Sequence, residues 1–254
     1  MPEPGTNAHF EYVLRLADDA LVLGHRLSEW SSRAPTLEED IALSNIGLDL
    51  VGQARSLFAY AGRVEGKGRD EDALAFGRDA HHYRNLQLVE RPNGDFAATM
   101  ARQLFYSTFA ELFWAAMKRS TDAELSGIAA KAEKECAYHV RHSAEWVIRL
   151  GDGTAESHAR MQREIDEVWM FTGELFALDA VDKAMIEAGA GVGRAAFKPD
   201  WDKAIDAVFA EATLVRPRDG WMISGGRCGV HTEHLGPMLA VMQSLPRTYP
   251  GAKW

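Results

Sequence analysis

The segment LSNIGLDLVGQAR, residues 43–55, contains the spacing that decides the fold. Its residues Ile46, Leu50 and Ala54 recur every four positions, and Phe58 continues the series. This period places apolar side chains on one face of an α-helix, which a protein core buries. The segment is therefore predicted to be the middle of a long amphipathic helix.

The start of this helix is marked by Thr36-Leu37-Glu38-Glu39, which follows Pro35. Threonine and a glutamate three residues later form a capping box, in which each side chain accepts from the other residue's backbone N–H. We predict a helix from Thr36 to about Gly62. Gly47 and Gly52 lie inside it and each lowers helix stability by roughly 1 kcal/mol relative to alanine, a cost that close approach of another helix would offset.

The same period recurs along the rest of the chain, with a shorter helical stretch before the turn at Pro92–Asp95. No alternation of strands and helices and no fixed-period repeat is evident. We predict an all-α fold, a helical bundle with additional C-terminal helices, in a single domain over residues 1–254. The other predicted helices span about residues 8–31, 96–119, 123–150, 155–175, 201–213 and 232–245.

The predicted core consists of apolar residues that repeat at helical spacing in these segments. They are Leu14, Leu21, Ile46, Leu50, Phe58, Leu104, Phe109, Leu112, Val140, Trp146, Val168 and Phe171.

Composition narrows the class of protein. Of the 254 residues, 46% are hydrophobic and 26% charged, as in ordinary globular proteins. The formal charge of −9 argues against nucleic-acid binding, which needs a basic surface.

No apolar run is long enough to span a membrane, and residues 1–5 do not resemble a signal peptide, so a cytoplasmic location is expected. Cys136 and Cys228 form no CxxC motif and are expected to be isolated thiols.

A large helical bundle raises the question of a di-iron carboxylate site. Such a site takes a glutamate from each of two helices and a Glu-x-x-His pair from each of the other two. On the second long helix the nearest equivalent is Asp49 with Gly52, and on the fourth it is Cys136 with His139. Glycine cannot ligate a metal, and cysteine replaces the bridging carboxylate. We therefore assign no metal, cofactor or catalytic residue to this chain.

Several potential ligands nevertheless remain. Glu135, His139 and His142 share one face of the fourth long helix, while Glu111 and Glu29 could point inward from the third and first. One hypothesis is a metal site with an irregular ligand set. The favoured hypothesis is an internal network of ion pairs and hydrogen bonds, because buried charges need partners with or without a metal.

The adjacent pair His81-His82 is interpreted as surface, because neighbouring residues on a helix point in different directions.

The glycine-rich string Gly225-Gly226-Arg227-Cys228-Gly229 has two interpretations. It could form a backbone nest for a phosphate, or it could be a plain turn. The lysine and hydroxyl residues of a P-loop are missing, which favours the turn.

The most distinctive local string is His231-Thr232-Glu233-His234-Leu235-Gly236-Pro237. Thr232 could cap the last helix, with Pro237 in its first turn. Alternatively, His231, Glu233 and His234 could line an interface or a ligand channel. The structural or interface role is favoured, since a zinc site would need further ligands.

Three strings together resemble the small helical subunit that accompanies the catalytic subunit of bacterial ring-1,2-phenylacetyl-CoA epoxidase, a multicomponent monooxygenase of phenylacetate catabolism. They are residues 43–55, 89–96 (VERPNGDF) and 231–239 (HTEHLGPML). The resemblance implies a ferritin-like fold without metal ligands and a structural, non-catalytic role. It implies that the catalytic subunit holds the di-iron centre and binds the CoA thioester, while a reductase supplies electrons from NADPH.

The predicted partners are therefore the catalytic di-iron subunit and the other epoxidase subunits. We expect contact through the second long helix, where Gly47, Gly52 and Ala54 permit close approach and Leu48, Val51 and Phe58 supply apolar area. The same face could form a homodimer when the chain is alone. Two other classes stay open, a self-sufficient ferritin-like di-metal oxidase and a helical ligand-binding or adaptor protein.

Overall fold

The computed structural model of the protein describes residues 7–252; residues 1–5, on which the expected location depends, lie outside this range. Within the described range there are eleven α-helices and no strand, which confirms the all-α prediction. The helices are α1 (Ala8–Ser28), α2 (Leu37–Glu65), α3 (Glu71–Phe76), α4 (Gln87–Glu90), α5 (Phe96–Met117), α6 (Ala123–Gly151), α7 (Ala155–Trp169), α8 (Ala180–Glu187), α9 (Lys198–Glu211), α10 (Leu235–Met242) and α11 (Ser244–Thr248).

Four long helices form the bundle as two antiparallel hairpins, α1 with α2 and α5 with α6. Helices α7 and α9 pack on the second hairpin, and α8 packs on α1. Among the described residues, none of the helices is long and apolar enough to cross a membrane. The buried apolar side chains form one cluster that extends from α1 to α10, so the C-terminal helices share the core of the bundle.

Gly24 and Gly47 allow α1 and α2 to approach closely. A Cβ atom on Gly24 would lie 3.3 Å from the carbonyl oxygen of Gly47, and a Cβ atom on Gly47 would lie 3.5 Å from that of Gly24. Gly47 thus permits the close approach of another helix, as predicted, but that helix is α1 of the same chain. Gly52 differs, since its Cβ would meet nothing nearer than the Lys131 ammonium, 3.9 Å away.

The predicted capping box is half formed. The Thr36 hydroxyl accepts from the backbone N–H of Glu39 at 3.4 Å. The Glu39 carboxylate does not return the bond and lies 2.7 Å from His142 Nε2 on α6. The Glu39 carboxylate therefore contacts a residue across the bundle, His142, instead of the backbone N–H of Thr36.

Two predicted boundaries near the C-terminus are wrong. The fifth predicted helix ends at Trp169 and is followed by a 3₁₀ turn rather than continuing to Leu175. The last predicted helix, residues 232–245, begins as α10 at Leu235 and ends at Met242, with α11 after it. Thr232 lies just before the helix, where its hydroxyl accepts from the backbone N–H of His234 at 3.4 Å and its own backbone N–H donates to the Glu90 carboxylate at 2.5 Å.

Nine of the twelve predicted core residues are buried. Leu112 and Trp146 are half-buried against the core. Val140 is also half-buried but lies outside the core cluster. The inward stripe of α6 includes Cys136, His139 and Ser143, so Val140 is turned about 100° away from His139. The buried face of this part of α6 carries polar side chains. A pattern that counts only apolar residues therefore selects Val140 instead.

Two glycines of α6 provide a matched test of this packing. A Cβ atom on Gly151 would lie 2.4 Å from the carbonyl oxygen of Ala212, whereas one on Gly127 would have no neighbour within 4 Å. Gly151→Ala should lower the free energy of unfolding by about 1–3 kcal/mol, because backbone must move. Gly127→Ala should raise it by about 0.5–1 kcal/mol, because alanine favours the helix. Urea unfolding measures both, and a Gly151→Ala variant as stable as the wild type would contradict the α6–α9 packing.

Candidate functional site

The residues considered as metal ligands lie mainly along the seam between α2 and α6. These helices run antiparallel, so positions that are far apart in sequence meet in pairs across the seam. The pairs are Glu39 with His142 at 2.7 Å, Asp49 with His139 at 3.1 Å, and Gln53 with Glu135 at 2.8 Å.

Asp49 and Cys136 occupy the carboxylate positions of the two incomplete Glu-x-x-His pairs. Asp49 Oδ2 contacts His139 Nε2, so the acid of one pair meets the imidazole of the other. Cys136 is 1% exposed. Burial, and then the nearby Glu135 and Glu111 carboxylates, raise the pKa of its thiol well above the usual range. A buried neutral thiol is a poor metal ligand and a poor nucleophile.

The other residues considered as metal ligands do not lie together. Glu135 is bonded to Gln53 and also lies 3.2 Å from Lys131. Glu111 is half-buried on α5, where burial and the neighbouring Glu133 raise its pKa. Glu29 does not point inward as expected, because it follows α1 and pairs with Arg26 at 2.8 Å.

The donor set of the bundle therefore does not fit a di-iron centre. In the part of the chain that the structure describes, the one group of three donors with ligand atoms within 4.8 Å of one another is Asp79, His81 and His82, on the surface. The bundle seam instead carries pairs that bond each other. These contacts favour an internal polar network over an irregular metal site.

The pair His81-His82 is exposed, as predicted, but the two rings do not point apart. Their centroids lie 3.8 Å from each other. Adjacent residues in the 3₁₀ turn Ala80–His82 leave the backbone about 120° apart, so the two rings meet through their own side-chain torsions.

Sequence reasoning missed the buried charges of α1. Asp18 is fully buried and forms a two-point ion pair with Arg78, with one bond of 3.0 Å. Asp19 accepts from Arg227 at 2.6 and 3.1 Å and from the backbone N–H of Leu86 at 2.7 Å. The signal was two adjacent acids inside the apolar stretch Leu16–Leu23, which a search for apolar periodicity passes over.

Further ion pairs continue this network toward the N-terminal end of α1. Arg15 is 1% exposed and lies 2.8 Å from Asp179. Arg194 donates to Asp182 at 2.8 Å, and Arg84 pairs with Glu11 at 3.1 Å. The N-terminal half of α1 is thus surrounded by charged groups from the later segments of the chain.

The glycine-rich string does form an anion-binding turn, but its anion belongs to the protein. The backbone N–H groups of Gly225 and Gly226 donate to one oxygen of the Glu174 carboxylate at 2.9 and 2.8 Å. The other oxygen accepts from the backbone of Gln87 at 2.9 Å. The phosphate interpretation is therefore replaced, since the donors are already used.

The histidine string is likewise tied into the structure. His231 places Nδ1 2.9 Å from the Glu90 carboxylate and Nε2 3.0 Å from the carbonyl oxygen of Tyr83. His234 is half-buried and lies 3.4 Å from the exposed Glu233. His231 therefore fixes the entry to α10.

The string at residues 89–96 clamps α1 to α5. Arg26 donates to the carbonyl oxygen of Glu90 at 3.0 and 2.8 Å. The Asn93 amide donates to the carbonyl oxygen of Arg26 at 2.6 Å. Arg102 donates to the Arg91 carbonyl at 2.5 Å and to the Asn93 side chain at 2.8 Å.

Comparison with known proteins gives two consistent matches. The family profile described as "Phenylacetic acid catabolic protein" matches residues 1–254. The chain is also similar to one of the named subunits of the 1,2-phenylacetyl-CoA epoxidase of Escherichia coli (strain K12). The two are 49% identical over 243 residues, which cover 96% of this chain and 98% of that relative.

The two cysteines give a direct test of the bundle centre. Cys228 is exposed, whereas Cys136 is buried at the seam. The folded protein should release one equivalent of thionitrobenzoate from Ellman's reagent, and the protein unfolded in guanidinium should release two. Rapid loss of both thiols in the folded state would show that the seam opens to solvent. Cys228→Ser, as the control, should leave the folded protein unreactive.

Proposed function

The chain belongs to the phenylacetic acid catabolic protein family, and on that premise we propose that it is the structural, non-catalytic subunit of a phenylacetyl-CoA epoxidase. The Escherichia coli relative, itself named as a subunit of that enzyme, supports the assignment to phenylacetate catabolism. The observation that carries the structural role is the seam, where Gly52 and the buried Cys136 stand at di-iron ligand positions and Asp49 and His139 bond each other.

The chain acts, in this proposal, by stabilising a catalytic subunit in the cytoplasm. That subunit holds the di-iron centre and the CoA thioester, and a reductase delivers electrons from NADPH. This chain contributes no cofactor ligand and no acid or base to the reaction. A rigid companion can still affect catalysis, because small displacements of a partner's site lower its rate strongly.

The outward face of α2 is the proposed contact surface. Four large apolar side chains form a stripe along it, with exposed fractions of 73% for Leu37, 54% for Ile41, 68% for Leu48 and 38% for Val51. Tyr138 on the neighbouring helix α6 is 38% exposed. A stripe of this kind is unusual on a monomer and typical of a surface that a partner covers.

This surface differs from the one expected from sequence. Ala54 and Phe58 are each 1% exposed, so they belong to the core and cannot contribute area. Gly47 is already covered by Gly24. Leu48, Val51 and Gly52 remain, and Gly52 lines an open groove of about 350 Å³ between α2 and α6.

An obligate interface with the catalytic subunit should bury well over about 2,000 Å² in total. The α2 stripe would form its apolar centre, and the charged ends of Lys131 and Glu124 at the groove its polar rim. In the absence of the partner, the α2 stripes of two copies can pack against each other. The isolated chain would then form a homodimer.

Iron content tests the non-catalytic assignment. The protein purified alone should contain far less than one iron per chain and should not oxidise phenylacetyl-CoA. Two irons per chain with a carboxylate-bridged Mössbauer signature would instead support the self-sufficient oxidase. Traces without that signature agree with the proposal, because exposed imidazoles bind adventitious metal.

Substitutions in the α2 stripe test the contact surface. Leu48→Lys should weaken binding to the catalytic subunit by about tenfold or more, equivalent to about 1.4 kcal/mol, because a charge replaces buried apolar area. Gly52→Phe should also weaken binding while the fold is retained, since the space beside Gly52 is open. Affinities can be measured by surface plasmon resonance, with circular dichroism to verify folding.

A matched control is Val215→Lys, which places the same charge at a residue that is 70% exposed and lies after α9. It should leave the affinity unchanged. If the Leu48→Lys and Gly52→Phe variants bind as tightly as the wild type, α2 is not the contact surface.

A further inference from the structure

The turn after α3 brings three metal-binding side chains together outside the bundle. Asp79, His81 and His82 are exposed, and each offers a ligand atom within 4.8 Å of the other two. The imidazole rings lie at a centroid distance of 3.8 Å, with a 42° angle between their planes.

We propose that Asp79, His81 and His82 bind one divalent transition-metal ion, with Zn²⁺ as the representative. Two imidazole nitrogens and a carboxylate oxygen are a donor set that zinc accepts at about 2.0–2.2 Å. In a tetrahedron with such bonds the donors lie about 3.4 Å apart. The three ligand atoms already lie within 4.8 Å of one another, so only small movements of the side chains are needed to reach that spacing.

The backbone that carries the site is held in place from the inside. The carbonyl oxygen of His82 accepts from the buried Arg78 guanidinium at 3.1 Å. The next residue, Tyr83, is fully buried and donates its backbone N–H to Ala80 at 3.0 Å. A rigid turn reduces the entropy lost when the side chains close on an ion.

The surrounding charges set the affinity. Arg247 Nη2 lies 2.9 Å from Asp79 Oδ1. This contact occupies one carboxylate oxygen of Asp79, and the guanidinium also repels a cation. The neighbouring Arg84 and Arg78 are paired with Glu11 and Asp18 respectively. Arg247 is therefore the charge whose removal should strengthen metal binding.

The site has an open side. Three protein ligands leave at least one coordination position for water or for a donor from another molecule. The site is also separate from the α2–α6 seam, so metal bound here involves none of the incomplete di-iron positions.

Equilibrium dialysis of the full chain against ZnCl₂ at pH 7.5 tests the proposal. The wild type should bind one Zn²⁺ per chain. His81→Asn and His82→Asn should each weaken binding by about tenfold or more, since a lost second-shell contact alone weakens metal sites 10–100-fold. Arg247→Gln should tighten it several-fold. Because Arg247→Gln is expected to increase the zinc affinity, its effect cannot be mistaken for a loss of folding.

Two controls locate the metal. Asp49→Asn with Glu135→Gln alters the bundle seam and should leave the zinc affinity unchanged. His158→Asn removes a half-buried imidazole elsewhere and should also have no effect. Loss of zinc in either control, or full retention in the His81→Asn and His82→Asn variants, would overturn the site. An unchanged affinity in Arg247→Gln would show that Asp79 is not a ligand.

Discussion

Two adjacent carboxylates in the first helix, Asp18 and Asp19, constrain the rest of the structure because both are buried, at 0% and 3% exposure. A buried charge without a partner costs several kcal/mol, so each acid requires a cation. Arg78 arrives from 60 residues along the chain and Arg227 from 208. The segment after α3 and the glycine-rich turn before α10 must therefore fold back onto α1. The C-terminal portion is part of the bundle for electrostatic reasons as well as for apolar packing.

This arrangement leaves α2 with one free side. Helix α1 covers part of its surface through the Gly24–Gly47 contact, and α6 covers another through three polar pairs. The later segments pack on α1 and on the α5–α6 hairpin, and the outward stripe of α2 stays exposed. The apolar side chains that remain there are available to a second molecule. The proposed contact with a partner subunit rests on this exposed apolar stripe.

Much of the fold could be predicted from periodicity. The four long helices and most of their buried residues follow the apolar spacing, because that spacing reports which face of a helix the core covers. The failures arise where a distant partner decides the outcome. The Glu39 carboxylate contacts His142 instead of closing its capping box, the backbone N–H of Thr232 donates to Glu90, and Glu174 supplies the anion for the turn at Gly225. None of these partners is near in sequence, so no local pattern indicates them. The lack of a Glu-x-x-His pair in the α2 and α6 segments is read directly from the sequence, but the Asp49–His139 contact is not.

The most direct test of the structural role is reconstitution of epoxidase activity from purified components. The catalytic subunit and the reductase should turn over phenylacetyl-CoA with NADPH only when this chain is added, and the activity should saturate as the complex reaches its fixed stoichiometry. The chain with the reductase alone should be inactive. Full activity of the catalytic subunit and reductase without this chain would contradict the account.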